Sequence, residues 1–110
     1  MNFNDYQKGA ITTNLTQDDQ FKELMQQALG LGDEAGEVQA IFKKWIRDSD
    51  ADITKLDTKN LTKELGDILW YIAVLAYDLG IELDDIATIN LEKLRGRKER
   101  GTLSGSGDDR

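Results

Sequence analysis

The 110-residue chain contains no cysteine, no histidine and no proline. Disulfide staples, thiolate chemistry, zinc-finger ligand sets and imidazole acid-base work are therefore all excluded. Any chemistry must use carboxylates, amines, hydroxyls or a bound ion. Long hydrophobic runs are missing too. No stretch approaches the ~20 apolar residues of a membrane span, and the polar opening, residues 1–10, lacks the apolar centre of a signal peptide. A cytoplasmic location with no membrane attachment is the expectation. The length suits one domain, because separate cores need on the order of 100 residues each.

What is present is charge, unevenly placed. The formal net charge is −7, which argues against a general affinity for nucleic acid. Lys93, Arg95, Arg97, Lys98 and Arg100 against Glu99 give residues 93–100 a charge of +4, leaving −11 for the remainder. An acidic body and a basic end are separable features.

Apolar residues recur at three- and four-residue steps, the helical period, so the chain reads as all-α with four helices. The first runs from about Asn4 to Thr13. The second is long, about Gln17 to Arg47, with Thr16 as N-cap and a stripe of Phe21, Leu24, Met25, Ala28, Leu31, Ala35, Val38, Phe42 and Ile46. Gly30, Gly32 and Gly36 lie within it. Each costs a helix roughly 1 kcal/mol relative to alanine, which points to close approach of another backbone rather than to a break. A polar linker, Asp48 to Asp57, leads to a third helix capped by Asp57 or Thr58 and stopped near Gly80. The fourth runs from Asp84 or Asp85 to about Leu94. Residues 1–97 form the domain, and residues 98–110 are expected as a flexible, Gly/Ser-rich tail.

The third helix is apolar almost all the way round over Ile68 to Tyr77, ILWYIAVLAY. A surface helix of a small monomer should keep a polar face, so a second subunit is expected to cover it. The architecture expected is an antiparallel, four-helix-bundle-like fold completed by homo-oligomerisation as a dimer or tetramer.

Two acidic pairs stand out, Glu34 with Glu37 on the second helix and Glu64 with Asp67 on the third. A three-residue step puts each pair on one helix face with Cβ atoms ~5–6 Å apart. Glu64, Asp67, Tyr71 and Asp78 form a ridge beside the stripe of Leu61, Leu65, Ile68, Ile72 and Leu75. Antiparallel packing would bring four carboxylates together at the border of the core, where mutual repulsion and lost hydration demand a counter-charge. All-oxygen ligation favours Mg2+, with Mn2+ close behind. A solvated acidic face is the alternative for either pair alone. With no histidine, the Glu-x-x-His form of the di-iron bundles is excluded.

The strings LGLGDEAGEV (Leu29 to Val38) and KELGDILWYIAVLA (Lys63 to Ala76) resemble the signature of the all-α nucleoside triphosphate pyrophosphohydrolases, the MazG-like superfamily. Glu-x-x-Glu and Glu-x-x-Asp are separated here by 26 residues, and YQ at Tyr6 and Gln7 and NLEKLRGR at Asn90 to Arg97 are similar to further parts of the pattern. The resemblance implies a Mg2+-dependent hydrolase that splits a nucleoside triphosphate into monophosphate and pyrophosphate for pool control or house-cleaning. It implies Glu34, Glu37, Glu64 and Asp67 as metal-holding catalytic residues. Asn90, Lys93 and Arg97 are the implied substrate contacts, with Lys43 and Lys44 as weaker ones and Gln7 or Trp45 near the base. A carboxylate can activate the attacking water while cations neutralise the polyphosphate. On the same scaffold a dUTPase- or dCTPase-like enzyme or a phosphoribosyl-ATP pyrophosphohydrolase is the alternative, and a non-catalytic helical interaction module is the reading outside enzymology.

Overall fold

Three helices begin at a short side chain that accepts from the otherwise unpaired N–H groups of the first turn. Asn2 accepts from Asp5 while the Asp5 carboxylate faces the Asn2 amide, Asp19 accepts from Phe21 and Lys22, and Asp57 accepts from Asn60. The computed structural model describes residues 1–110 and contains α1 (Phe3–Ile11), α2 (Gln20–Ser49), α3 (Thr58–Asp78) and α4 (Leu83–Arg100), with a 3-10 turn (Ile53–Lys55) between α2 and α3. No strand is present. The all-α reading holds, with corrections at two helix boundaries. Asp19, not Thr16, caps α2, because the Gln17 N–H donates 2.8 Å to the Glu23 carboxylate and keeps the preceding residues outside the helix. Helix α4 continues to Arg100 instead of stopping at Leu94, so the expected domain edge at residue 97 falls inside it. Lys, Arg, Glu and Leu are good helix formers, the basic last turn complements the helix dipole, and the stop comes at Gly101 with φ +72°. Residues 101–110 fold back on α4: the Arg110 guanidinium donates to the carbonyls of Thr102, Leu103 and Gly107, and Arg100 donates to the carbonyl of Arg110.

Helix α4 has no capping side chain of its own. Its first N–H groups are met instead by α1, with Leu83 donating 3.1 Å to Gln7 Oε1 and Asp84 donating 3.0 Å to Asn4 Oδ1. Gln7 is buried, and its Nε2 donates to the carbonyls of Ala73 and Ile81. The amide thus ties α1 to α3 and to the start of α4. With both N–H bonds committed, Gln7 pins these helices together.

Helices α2 and α3 run antiparallel as a hairpin. Helix α1 also packs on α3, burying Ala10, Ala73, Val74 and Leu83, and Trp70 Nε1 donates to Ala10 O and Thr13 Oγ1. Part of the cover that the apolar third helix seemed to require from a partner is therefore supplied by α1. Apolar surface is still left bare on α2 (Phe21 69 % exposed, Leu29 73 %, Ile46 60 %), on α4 (Ile89 65 %, Leu91 60 %) and on α3 itself at Leu65 and Tyr77.

Helix α2 passes unbroken through all three of its glycines. Only at Gly30 is the space needed, and the neighbour is a side chain rather than another backbone: a Cβ there would overlap Cε1 and Cζ of Tyr71, whereas Gly32 and Gly36 face nothing within 4 Å. An exposed helical glycine normally gains roughly 1 kcal/mol on replacement by alanine. For Gly30→Ala we predict the reverse sign, a loss of about 1–3 kcal/mol from overpacking, read as a lower denaturation midpoint. A gain in stability would show that the Tyr71 ring does not sit on this backbone.

Candidate functional site

With Tyr71 seated on Gly30, the residues one turn further along each helix come opposite one another. Glu34 lies four residues after Gly30, and Asp67 and Glu64 lie four and seven before Tyr71. One carboxylate oxygen from each of Glu34, Glu64 and Asp67 falls within 4.8 Å of the others. Glu34 and Glu64 are half-buried and Asp67 is exposed, so the cluster sits at the margin of the hairpin with one side open. Burial pushes the Glu34 carboxyl above its ordinary range, and the charge of Asp67, the close Glu64 carboxyl and the charge of Asp33 push in the same direction. Three like charges without a counter-charge make the arrangement one that a proton or a cation would relieve.

The ridge read on the third helix is the contact line with α2. Glu64 and Asp67 meet Glu34, Tyr71 meets Gly30, and Asp78 accepts 2.8 Å from Gln27 Nε2. Tyr6 of α1 stands at the edge of the same region: burial raises its phenol pKa first, and the charge of Asp67 adds to it.

The remaining expected residues are not brought into the cluster. Glu37 is exposed and lies outside the group of three. Three residues at about 100° each leave it some 60° away from Glu34 around the helix, turned from α3 toward solvent. Lys43 and Lys44 are exposed, and Lys44 lines a shallow depression with Ile41, Trp45, Asp48, Lys55 and Asn60. Trp45 is half-buried and donates 2.6 Å to the Asp52 carbonyl, holding the turn between α2 and α3. Asn90 is exposed beside an apolar groove formed by Phe3, Leu69, Ile72, Ile86 and Leu91. Lys93 and Arg97 lie on α4, which packs on α1 and α3, and both are engaged by the tail. Arg97 is 6 % exposed and donates to Asp108 O at 2.7 Å and Asp108 Oδ1 at 3.2 Å, and Lys93 reaches the same carboxylate at 3.4 Å. These two cations hold the Asp108 carboxyl below its ordinary range. A carboxylate thus rests on the two side chains expected to meet phosphate.

Sequence reasoning missed Gln27 and the fold-back of Asp108. The first carries a usable signal, since Gln27 precedes Glu34 by seven residues and so shares its helix face. The second depends on a ten-residue return of the chain that no local pattern announces.

An all-helical hairpin that gathers three carboxylates on facing helices offers an all-oxygen ligand set that could hold a hard cation. The family is shown by comparison. The family model for the MazG nucleotide pyrophosphohydrolase domain matches residues 22–102, which contain all three carboxylates, and the chain belongs to that family. It is also similar to the Gene 37 protein of Mycobacterium phage L5, 44 % identical over 92 residues that span 84 % of this chain and 81 % of that one. No solved structure matches. No helix is long and apolar enough to cross a membrane.

The raised Glu34 carboxyl takes a proton more readily in the folded state than in the unfolded one. Its contribution therefore favours the fold below the ordinary carboxylate pKa and is lost as pH rises through the raised value. A divalent cation bound among the three carboxylates would take over that role once the proton has left. Millimolar Mg2+ or Mn2+ should raise the melting temperature at pH 7.5, do so less at pH 5, and have little effect on Glu64→Gln at either pH. An equal shift in the wild type and in the variant would place cation binding elsewhere.

Proposed function

We propose that this protein hydrolyses a nucleoside triphosphate to the monophosphate and pyrophosphate, using a Mg2+ or Mn2+ ion held by Glu34, Glu64 and Asp67. The observation that carries the proposal is the convergence of these carboxylates from two helices within 4.8 Å, inside the span that matches a nucleotide pyrophosphohydrolase domain. A bound divalent ion would supply the positive charge that neutralises the polyphosphate and stabilises charge developing at phosphorus. The chain's own residues orient it. Glu34 offers a carboxylate that is already poorly solvated, Glu64 and Asp67 approach it from α3, and Glu37 would join the set by a rotamer change of its exposed side chain. Lys93 and Arg97 are the proposed phosphate contacts. Arg97 offers a planar fork suited to two phosphate oxygens and Lys93 a point charge. The Asp108 carboxylate has to leave them when phosphate arrives.

The direct test is a panel of ribo- and deoxyribonucleoside triphosphates with Mg2+, analysed for the phosphorus products. Monophosphate with pyrophosphate is the expected pair, and Glu64→Gln, which removes charge but not volume, should lower kcat by about 10²-fold or more. Diphosphate with orthophosphate would contradict the proposed bond, and near-normal turnover in the variant would contradict the proposed site.

The same reading includes a homodimer or homotetramer. The surface supports it in quantity. A monomer of this mass should expose about 6100 Å², whereas this chain exposes 8086 Å². A 110-residue domain should have a radius of gyration near ~13 Å, against 17.1 Å here. The difference of about 2000 Å² is more than the ~800 Å² that each partner buries in a standard interface, and it coincides with the bare apolar faces of α2 and α4. Sedimentation at micromolar concentration should give at least twice the 12.4 kDa chain mass. A stable single-chain species would contradict the assembly.

A further inference from the structure

The basic end of α4 is covered by residues 101–110, a loop whose shape is set by Arg110. Gly105 (φ +118°) and Gly107 (φ +90°) turn its backbone through conformations that residues with a Cβ disfavour. The Arg110 guanidinium fastens the turn by donating to the carbonyls of Thr102, Leu103 and Gly107. Both ends are tied to the helix, since the Thr102 N–H donates 2.8 Å to the Arg97 carbonyl and Arg100 donates 2.8 Å to the Arg110 carbonyl. The result is a preformed strap, and the side chain it sets against the cations of α4 is Asp108.

That carboxylate is shared and exposed. Its Oδ1 lies 3.2 Å from Arg97 Nη2 and 3.4 Å from Lys93 Nζ, so one oxygen serves two cations. Arg97 does not use its planar fork. Nη2 alone meets Asp108 O, Asp108 Oδ1 and Gly107 O, while Nε is buried with no acceptor. A strong arginine–carboxylate pair forms two parallel N–H bonds, and an orphaned buried donor calls for a reason. The closed strap therefore leaves this guanidinium incompletely paired. Although Arg97 is only 6 % exposed, the Asp108 side chain above it is 84 % exposed. The position that the carboxylate fills opens to solvent, so an anion from solution can take the same place once Asp108 swings out.

An exposed ion pair of this kind is weak by itself. The tether strengthens it, because a short connection gives an effective concentration on the order of millimolar. A polyphosphate carries several negative charges and enough oxygens to engage Lys93 and Arg97 separately, where Asp108 must share one oxygen between them. A loop that clamped down over bound phosphate would not set a carboxylate at this point, where it would repel the ligand.

We infer that residues 101–110 are an autoinhibitory strap, in which Asp108 occupies the phosphate position on Lys93 and Arg97 so that the closed strap and a bound polyphosphate exclude each other. The inference rests on the phosphate contacts proposed above and adds an internal competitor to them. The strap weakens apparent affinity in proportion to the fraction of molecules in which it is closed. It thereby sets a polyphosphate concentration below which the site stays shut.

Inorganic pyrophosphate is the probe, titrated by calorimetry with divalent ions chelated so that the acidic cluster takes no part, in about 0.15 M salt to screen distant charges. Asp108→Asn removes the charge and keeps the volume. Asp109→Asn removes the same charge from the neighbouring residue, which has no ion pair. A strap closed in roughly nine molecules of ten predicts that Asp108→Asn binds about tenfold more tightly than wild type, with Asp109→Asn within about twofold of wild type. In nuclear magnetic resonance, the amides of Gly105 and Gly107 should lose order on the nanosecond scale as pyrophosphate saturates the wild-type protein. Equal affinity in wild type and Asp108→Asn, with the strap still ordered at saturation, would overturn the strap and leave the phosphate contacts standing. Equal gains in the two variants would mark a general charge effect and would also overturn it. If none of the three proteins binds pyrophosphate, the phosphate contacts themselves fall, and the strap with them. With Mg2+ and a triphosphate, Asp108→Asn should lower KM by a similar factor with kcat within about threefold of wild type. An unchanged KM would contradict the competition.

Discussion

The register between α2 and α3 governs everything else in this molecule, and it is set where the Tyr71 ring lies against the bare backbone at Gly30. Once that contact is made, helical geometry alone puts Glu34 opposite Glu64 and Asp67 and brings Gln27 to Asp78. A shift of one residue would rotate each side chain by about 100° and disperse the carboxylates. The hairpin holds this register against the repulsion of its own acidic cluster. Burial first, and then the charges of Asp67, Glu64 and Asp33, push the Glu34 carboxyl above its ordinary range, and a bound cation would relieve the repulsion.

Helix α1 braces this hairpin from outside, and the tail closes on α4. Gln7 and Asn4 cap the start of α4, which has no cap of its own, so the basic end of the molecule is positioned by polar contacts from the first helix. At the far end of α4, Asp108 neutralises Lys93 and Arg97. The acidic centre and the basic end are thus kept as separate units within one chain: α2 and α3 hold the first, without a counter-charge, and α1, α4 and the tail hold the second, with Asp108 set against its cations. The extended shape leaves the apolar faces of α2 and α4 bare, and these are the surfaces on which a second copy would act.

Much of the centre was legible in the sequence because its information is local. The three-residue spacing of Glu64 and Asp67, their continuation through Tyr71 to Asp78, and the Asp57 cap all survive in the structure as written along the helix. Glu37 lies outside the group of three because a three-residue step still leaves some 60° between side chains, and only the partner helix decides which member of a pair faces inward. The α2 start was displaced because Thr16 and Asp19 are both good caps, and a side-chain contact six residues long, from Glu23 back to Gln17, selects between them. Gln7 pins three helices together, a role that local pattern does not announce because its partners lie 66 to 76 positions away. The fold-back of residues 101–110 was hidden for the same reason, since a Gly/Ser-rich segment carries no pattern of its own and is ordered here by the arginines at 97, 100 and 110.

The central claim is that three side chains on two helices form one cation site, and diffraction at a wavelength sensitive to manganese tests it most directly. Crystals grown with Mn2+ should give an anomalous peak bounded by Glu34, Glu64 and Asp67, with carboxylate oxygens at about 2.0–2.2 Å as hard six-coordinate ions of this size require. A well-occupied ion elsewhere, with these three carboxylates facing only solvent, would contradict the account.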